Sequence, residues 1–150
     1  MKKFSELKVG DQFHSTCSIS EKELNEYLNF SRIKNAFLED VKKDKQMIVS
    51  GRAIISRMEG EFTRLSQIYG NHIIFIGTDG DAEWGNRSTR FLKPLKTDEV
   101  LKLKFTVSEK SDIDEDYGRI VMDFEGTTQD GEMVVLAKKN LYRIRKEPKK

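Results

Sequence analysis

Residues 48–69 read IVSGRAIISRMEGEFTRLSQIY, and this stretch decides the fold. Its apolar residues recur at helical spacing, which predicts a helix with one buried stripe made of Ile54, Ile55, Met58, Phe62, Leu65 and Ile68. Gly51 opens this helix, and Gly70-Asn71 is the signal that ends it. The first N–H groups of a helix lack internal partners and lie at the positive end of the dipole, so they suit a carbonyl oxygen. We therefore expect a packed helix whose first turn can meet a ligand.

Strands and turns are indicated around that helix. Ser20 and Glu23 have the spacing of a capping box, so a short helix is predicted after a first strand. Apolar alternation and turn residues predict strands at 12–19, 72–77, 87–95, 100–107, 118–126 and 133–144. Residues 79–86 form a turn-rich segment around Trp84, residues 108–117 an acidic hairpin loop, and the polar stretch 31–46 has room for another short helix. Sequential hairpins that face one helix predict an α+β domain with a curved antiparallel sheet of five to six strands wrapped around it.

Length and composition favour one soluble domain over residues 1–150. The 27 basic and 25 acidic residues give a formal charge of +2, which offers no concentrated basic face for nucleic acid. The single cysteine, Cys17, excludes an internal disulfide and fits a reducing compartment. No stretch has the apolar length of a signal peptide or a membrane span, so we expect a cytoplasmic protein without a membrane partner.

Three short sequence motifs resemble those of proteins with the hotdog fold, and in particular those of its MaoC-like branch, which includes (R)-specific enoyl-CoA hydratases. Residues 4–11 (FSELKVGD) match the opening phrase of that branch, and residues 48–51 (IVSG) match the phrase before its central helix. Residues 90–99 (RFLKPLKTDE) resemble its strand and turn of the form R-F-x-x-P-V-x-x-G-D. The resemblance covers nearly the whole chain. It implies an acyl-CoA or acyl carrier protein thioester as ligand, with no cofactor beyond the carrier itself.

One departure from the family pattern bears directly on the chemistry. Hydratases of this branch carry G-D-x-N-P-x-H ahead of the helix, and its Asp and His handle the water and the proton. The best local match is residues 32–38 (RIKNAFL), where Asn35 is kept but Ile33 and Leu38 replace the two reacting residues. Neither replacement can transfer a proton, so hydratase chemistry is predicted to be lost.

The remaining catalytic candidates lie on or before the central helix: Gly51, Glu59, Glu61 and Asn35. The resemblance implies that Gly51 approaches the thioester oxygen; the alternative is that it only allows close packing. In phenylacetyl-CoA-type hotdog thioesterases an Asp or Glu stands about as far beyond the helix glycine as Glu59 does. Glu59 would activate water or attack the thioester, unless it lies on a solvated face. Glu61 falls on the apolar stripe, so it is either catalytic or paired with an arginine. Asn35 would orient water or substrate.

Arg87, Arg90 and Lys93 flank the strand that the family places near the pantetheine and phosphate path, and arginine forks suit the phosphates of CoA. Trp84 either stacks on an adenine or packs beneath this edge. No metal site is expected, because His14 and His72 have no partnering cysteine or carboxylate motif.

These observations leave two classes of function open. The first is a thioesterase that uses Glu59 or Glu61. The second is a non-catalytic acyl-CoA sensor or a silent partner of an active hotdog subunit; residues 140–146 resemble the end of bacterial malonyl-CoA-responsive lipid regulators. Hotdog domains of this kind associate side by side, so a homodimer is the expected minimum.

Overall fold

The structure is a computed structural model that describes residues 1–35, 42–43 and 46–148. Two α-helices are present in this part of the chain, α1 (Glu21–Ser31) and α2 (Gly51–Arg64), with short 3-10 helices at Phe4–Glu6 and Ala82–Trp84. The strands are β1 (Gln12–Cys17), β2 (Lys42–Lys43), β3 (Gln46–Met47), β4 (Ile73–Thr78), β5 (Thr89–Phe91), β6 (Leu101–Asp112), β7 (Tyr117–Thr127) and β8 (Met133–Arg145).

Local sequence explains where both helices begin. The Ser20 hydroxyl accepts a hydrogen bond from the Glu23 backbone N–H, and the Glu23 carboxylate accepts one from the Ser20 N–H, which completes the predicted capping box. Helix α2 is capped by Ser50, whose hydroxyl accepts from the Ala53 N–H at 3.2 Å.

The main sheet has six antiparallel strands in the order β1-β6-β7-β8-β4, and β5 pairs with β8 beside β4. Strands β2 and β3 form a separate two-stranded pair. The predicted α+β class, with a sheet of five to six strands around one central helix, is confirmed.

The core lies between α2 and the inner face of the sheet. Met58 and Phe62 are fully buried, and the Phe62 ring packs against Phe105, Phe124 and Tyr142 with centroids 5.0–5.7 Å apart. Burying large side chains of this kind removes apolar surface from water and contributes roughly 1.5–3 kcal/mol for each. This aromatic cluster fixes the second half of α2 against the sheet.

Strand β4 carries an irregularity at the edge of the sheet. Phe75 pairs with Tyr142 and Gly77 pairs with Leu141, so Ile76 is an extra residue in the register. Ile74, Phe75 and Ile76 are all exposed. This edge therefore presents both unpaired backbone and apolar side chains.

The observed elements differ from the predicted ones in three places. Strand β6 continues to Asp112, because residues 109–112 pair with β7, so the acidic loop is shorter than 108–117. Strand β5 is confined to Thr89–Phe91, and a single backbone bond from the Leu92 N–H to the Val134 carbonyl extends its pairing with β8. Helix α2 ends at Arg64, and the buried Leu65 and Ile68 lie in the turns that follow. Much of residues 31–46, where a further helix was considered, lies outside the described residues.

Candidate functional site

A phenylalanine ring covers the first residue of α2. A β-carbon built on Gly51 would lie 2.7 and 2.9 Å from two ring atoms of Phe91, which is closer than real contacts of this kind. Glycine is therefore the residue that lets the β5 strand approach α2 this closely. The Phe91 side chain is nevertheless 48% exposed. Its ring is held mainly from one side.

Two cavities flank this contact. The first, which we call the hydroxyl cavity, has a volume of about 450 Å³ and is lined partly by Tyr27, Ser56, Thr78, Ser88 and Thr89. The second, the apolar cavity, has a volume of about 350 Å³ and is lined largely by Ile48, Val49, Ile54, Leu92, Pro94 and Leu95. Gly51 and Phe91 line both. The start of α2 thus lies where a polar and an apolar space meet.

The first turn of α2 has hydrogen-bond donors to offer there. The Ala53 N–H is taken by the Ser50 hydroxyl, whereas no described residue accepts from the N–H groups of Gly51 and Arg52. Such groups are ordinarily satisfied by water, by a side chain or by a ligand. The Arg52 side chain also lines the hydroxyl cavity and is exposed. This end of the cavity is suited to an oxygen that carries partial or full negative charge.

Helix α1 closes one side of the hydroxyl cavity. The Ser56 hydroxyl donates to the Tyr27 hydroxyl at 3.3 Å, which links the two helices. The next residue, Arg57, donates to the Ser18 carbonyl at 2.9 Å and to the Glu23 carboxylate. The pKa of Glu23 is lowered, first by the Ser20 N–H and then by Arg57. These contacts place Tyr27 over the first turn of α2.

Glu59 points away from this first turn and toward the sheet. At ~1.5 Å per residue, its position on α2 is about 12 Å from Gly51 along the axis. The residue is half-buried, and its carboxylate is the hydrogen-bonding and charged neighbour of the Tyr142 hydroxyl. The pKa of Tyr142 is raised, mainly by burial and further by Glu59. Glu59 lines neither cavity at Gly51.

Glu61 lies on the side of α2 that faces β1. It is half-buried, and its charge acts on Cys17. Burial, with Glu61 and Glu23 adding to it and Arg57 opposing it, raises the pKa of the Cys17 thiol to about 11. A thiol of this pKa is protonated at neutral pH and is a poor nucleophile. Asn35 is exposed and ends the first described stretch. Catalytic roles for Glu59, Glu61, Gly51 and Asn35 stay predictions.

The residues predicted to bind CoA lie either near Trp84 or at the apolar cavity. The Arg90 guanidinium lies 5.4 Å from the Trp84 ring centroid, and the Lys138 ammonium lies 4.2 Å from it. Trp84 is half-buried and lines neither cavity at Gly51, so its ring is occupied by cations here. Lys93 lines the apolar cavity and pairs with Glu132. Arg87 is exposed after the 3-10 turn that ends at Trp84. Phosphate binding by these residues also stays a prediction.

The described residues contain no cluster of His, Cys, Asp or Glu that could hold a metal ion. His14 and His72 are both exposed and lie on different parts of the chain. Within the same residues, no helix is long and apolar enough to cross a membrane.

Comparison with known proteins identifies the architecture. No protein-family description and no curated protein matches this sequence. Among solved structures, the monoamine oxidase regulatory protein from Archaeoglobus fulgius matches at 23% identity and a TM-score of 0.75, over 97% of this chain and 95% of that one. The (R)-hydratase PhaJ1 from Pseudomonas aeruginosa matches at 22% identity and a TM-score of 0.64, over 99% of this chain and 86% of that one.

The matches also include MaoC-like dehydratases and thioesterases. A hypothetical thioesterase from Streptococcus pneumoniae TIGR4, solved with coenzyme A, is 16% identical with a TM-score of 0.56, over 97% of this chain and 86% of that one. The chain has the hotdog fold. The predicted fold is thus confirmed, and the structures that share it include the MaoC-like dehydratases and (R)-hydratases that the sequence phrases resemble.

Sequence reasoning missed several residues of this hotdog site. Phe91, Tyr27, Arg52 and Ser56 were not singled out, although all of them line the hydroxyl cavity. One signal was present for Phe91. Successive strand residues point to opposite faces, so an outward Arg90 places Phe91 toward the helix. No comparable local pattern marks Tyr27, because its position depends on how α1 packs against α2.

Proposed function

We propose that this protein binds acyl thioesters of CoA or of acyl carrier protein, with the thioester group at the start of α2. The observation that carries the proposal is the meeting of two cavities at Gly51, one lined by hydroxyl groups and one by apolar side chains. A thioester with its carrier arm has this same division, since a polar pantetheine arm and an apolar acyl chain meet at the reactive carbonyl.

In this arrangement each part of the ligand meets matching chemistry. The thioester oxygen accepts from the N–H groups of Gly51 and Arg52. The amides of the pantetheine arm bond with the hydroxyl groups of Tyr27, Ser56 and Thr89, each of which can donate and accept. The acyl chain lies against the apolar cavity. A CoA-bound thioesterase and (R)-hydratases among the solved structures of this fold agree with a ligand of this class.

Thermal unfolding in the presence of CoA, butyryl-CoA and octanoyl-CoA tests the proposal. A ligand at about 100 times its dissociation constant adds ~2.7 kcal/mol to the free energy of unfolding. Gly51→Ala is expected to weaken thioester binding, because the added β-carbon occupies the place where the thioester group would approach the first N–H groups of α2. The matched control is Gly60→Ala on the same helix, where an added β-carbon has nothing within 4 Å. Equal losses in both variants, or no stabilisation by any thioester, would contradict the proposal.

Hydrolysis of the bound thioester is a second candidate, which rests on the spacing between Gly51 and Glu59 in the sequence; the Glu59 carboxylate itself lies beside Tyr142. The Glu59 carboxylate would take a proton from water as the water oxygen attacks the thioester carbon; the C–S bond would then break, and the protonated Glu59 would return the proton to the leaving thiolate to give the free thiol. Binding ranks first because Glu59 lines neither cavity at Gly51.

Release of free thiol from a panel of acyl-CoAs separates the two candidates. Glu59→Gln should abolish turnover while Glu61→Gln, a similar change on the same helix, should not. Binding without turnover by the unmodified protein would support a sensor, or a silent partner of an active hotdog subunit.

We further propose a cytoplasmic homodimer that forms through the β4 edge. Three consecutive exposed apolar residues there, Ile74, Phe75 and Ile76, accompany an unpaired strand edge. Such edges pair with other strands unless something covers them. Ile74→Lys should convert the dimer to a monomer in light scattering, whereas Val9→Lys, at an exposed apolar residue away from β4, should not.

A further inference from the structure

The strand that carries Phe91 is weakly held. Strand β5 has three residues, all of which pair with β8 and with no other strand. The next backbone bond, from the Leu92 N–H to the Val134 carbonyl at 2.8 Å, is also to this neighbour. No other aromatic ring and no cation among the described residues packs on the Phe91 ring. The close approach to Gly51 is thus the main contact that the structure shows for this ring.

The ring also stands at the one place where the two cavities share walls. Gly51 and Phe91 are the residues common to the hydroxyl and the apolar cavity. Gly51 has no side chain to move, so Phe91 is the movable part of this boundary. Because the ring is already about half exposed, turning it about its side-chain bonds uncovers less apolar surface than turning a buried ring would.

We propose that Phe91 is a gate between the two cavities and sets the length of the acyl chain that the site accepts. The inference rests on the proposed function and deepens it. With the ring on Gly51, a short acyl group remains in the hydroxyl cavity beside the carrier arm. With the ring turned away, the cavities join, and a longer chain reaches the walls formed by Ile54, Leu92 and Leu95.

Acyl-chain selectivity follows from the cost of turning the ring. Each methylene that enters the apolar cavity strengthens binding by about fourfold. A long chain therefore offsets the loss of the Phe91–Gly51 contact, while a chain of two to four carbons does not. The wild-type protein is expected to bind octanoyl-CoA in the open form and CoA itself in the closed form.

Calorimetric titration of Phe91→Ala with CoA, butyryl-CoA and octanoyl-CoA tests the gate. Removing the ring should tighten octanoyl-CoA binding by about threefold and leave CoA itself unchanged. Phe91→Leu should have a smaller effect of the same sign, and Phe91→Trp should weaken octanoyl-CoA binding. Equal changes for all three ligands would overturn the proposal.

Leu92→Ala is the matched control. Leu92 is the next residue, it is also 48% exposed, and it lines the apolar cavity alone. Removing it takes away a wall without opening the boundary, so octanoyl-CoA binding should weaken. A gain in Leu92→Ala equal to that in Phe91→Ala would show that added space, rather than a gate, is responsible.

A second readout does not depend on thioesters. Octan-1-ol titrated into the wild-type protein should shift the amide resonances of Ile48, Leu92 and Leu95 only. In Phe91→Ala it should also shift those of Ser56 and Thr89, with the same midpoint. If octan-1-ol shifts the amide resonances of residues in both cavities of the wild-type protein, the gate is overturned, whether or not CoA binds. If no CoA ligand binds but octan-1-ol gives the expected amide shifts, the proposed function is overturned and the gate is not.

Discussion

Two phenylalanine rings in this protein lie directly on glycine α-carbons, one at Gly118 on β7 and one at Gly51 on α2. A β-carbon at either glycine would collide with the ring above it, Phe4 in the first case and Phe91 in the second. The two rings differ in exposure: Phe4 is 6% exposed and Phe91 is 48% exposed. The same backbone contact therefore serves packing at one site and borders open space at the other.

What differs is how the rings are held. The Lys110 ammonium lies 4.4 Å from the Phe4 ring centroid and donates to the Leu7 carbonyl at 2.7 Å. Phe4 also begins a 3-10 helix whose start is tied by the Glu6 carboxylate to the Lys3 N–H at 3.0 Å. Phe91 has neither kind of support among the described residues. A ligand could reach the backbone at such a glycine only where the ring above it can turn aside.

The largest expected difference is between the two ring deletions. Phe4→Ala should lower the free energy of unfolding by about 3 kcal/mol, because a buried ring leaves a cavity that the structure cannot fill. Phe91→Ala should cost less than about 1 kcal/mol, as expected for an exposed side chain. Urea denaturation monitored by circular dichroism measures both. Similar losses would mean that Phe91 is as firmly packed as Phe4.

The two glycine substitutions should lower the free energy of unfolding in the same order as the ring deletions, but by smaller amounts. Gly118→Ala is expected to cost about 2 kcal/mol, because the buried Phe4 ring has no free space to enter. In Gly51→Ala the exposed Phe91 ring turns aside, and the cost should stay below about 1 kcal/mol. The same denaturation experiment compares the two, and a larger loss at Gly51 would refute this view of Phe91.

Double-mutant cycles isolate the two contacts. Gly118→Ala should lose most of its cost when Phe4 is already alanine, which gives a coupling of roughly 1.5 kcal/mol. The Gly51 and Phe91 changes should couple by less than about 1 kcal/mol in the same measurement of stability. Couplings of equal size would remove the distinction between a fixed and a movable ring.

The smallest effect concerns the lysine above Phe4. Lys110→Met should cost about 1 kcal/mol, since it removes a cation over the ring and a charge-assisted hydrogen bond to Leu7. Lys102→Met on the same strand is the control, because its ammonium makes one longer contact, 3.4 Å to the Gln129 carbonyl. No difference between the two variants would show that Lys110 does not help to hold Phe4.

The fold could be predicted from local pattern because its parts are periodic. The apolar stripe of α2 and the alternation in β6 are each visible within a short window of sequence. The cap at Ser20 was predictable for the same reason. The ends of the helices and strands were harder to predict. Residues 109–112 lack apolar alternation, and backbone pairing with β7 alone keeps them in a strand.

The site was harder to predict, because it is made by contacts distant in sequence. Gly51 was identified from the chemistry of helix ends, but its neighbour Phe91 comes from a strand that meets α2 only in the folded chain. Glu59 was chosen by its spacing from Gly51, and the structure places it beside Tyr142. Spacing along a helix gives a direction and a distance, but it does not tell which space a side chain enters.

The extra residue in β4 also determines which groups line the hydroxyl cavity. Alternation along a regular strand would place Phe75 and Gly77 on the inner face and Thr78 on the outer one. Insertion of Ile76 reverses this order, so that Thr78 lines the hydroxyl cavity. A strand of the same length that paired Ile76 with Leu141 would turn the threonine hydroxyl outward, whereas deletion of Ile76 would keep the pairing of Thr78 with Asn140 and leave it inward. Related chains that have the same length but lack this irregularity should therefore share the architecture and present a different side chain to the hydroxyl cavity.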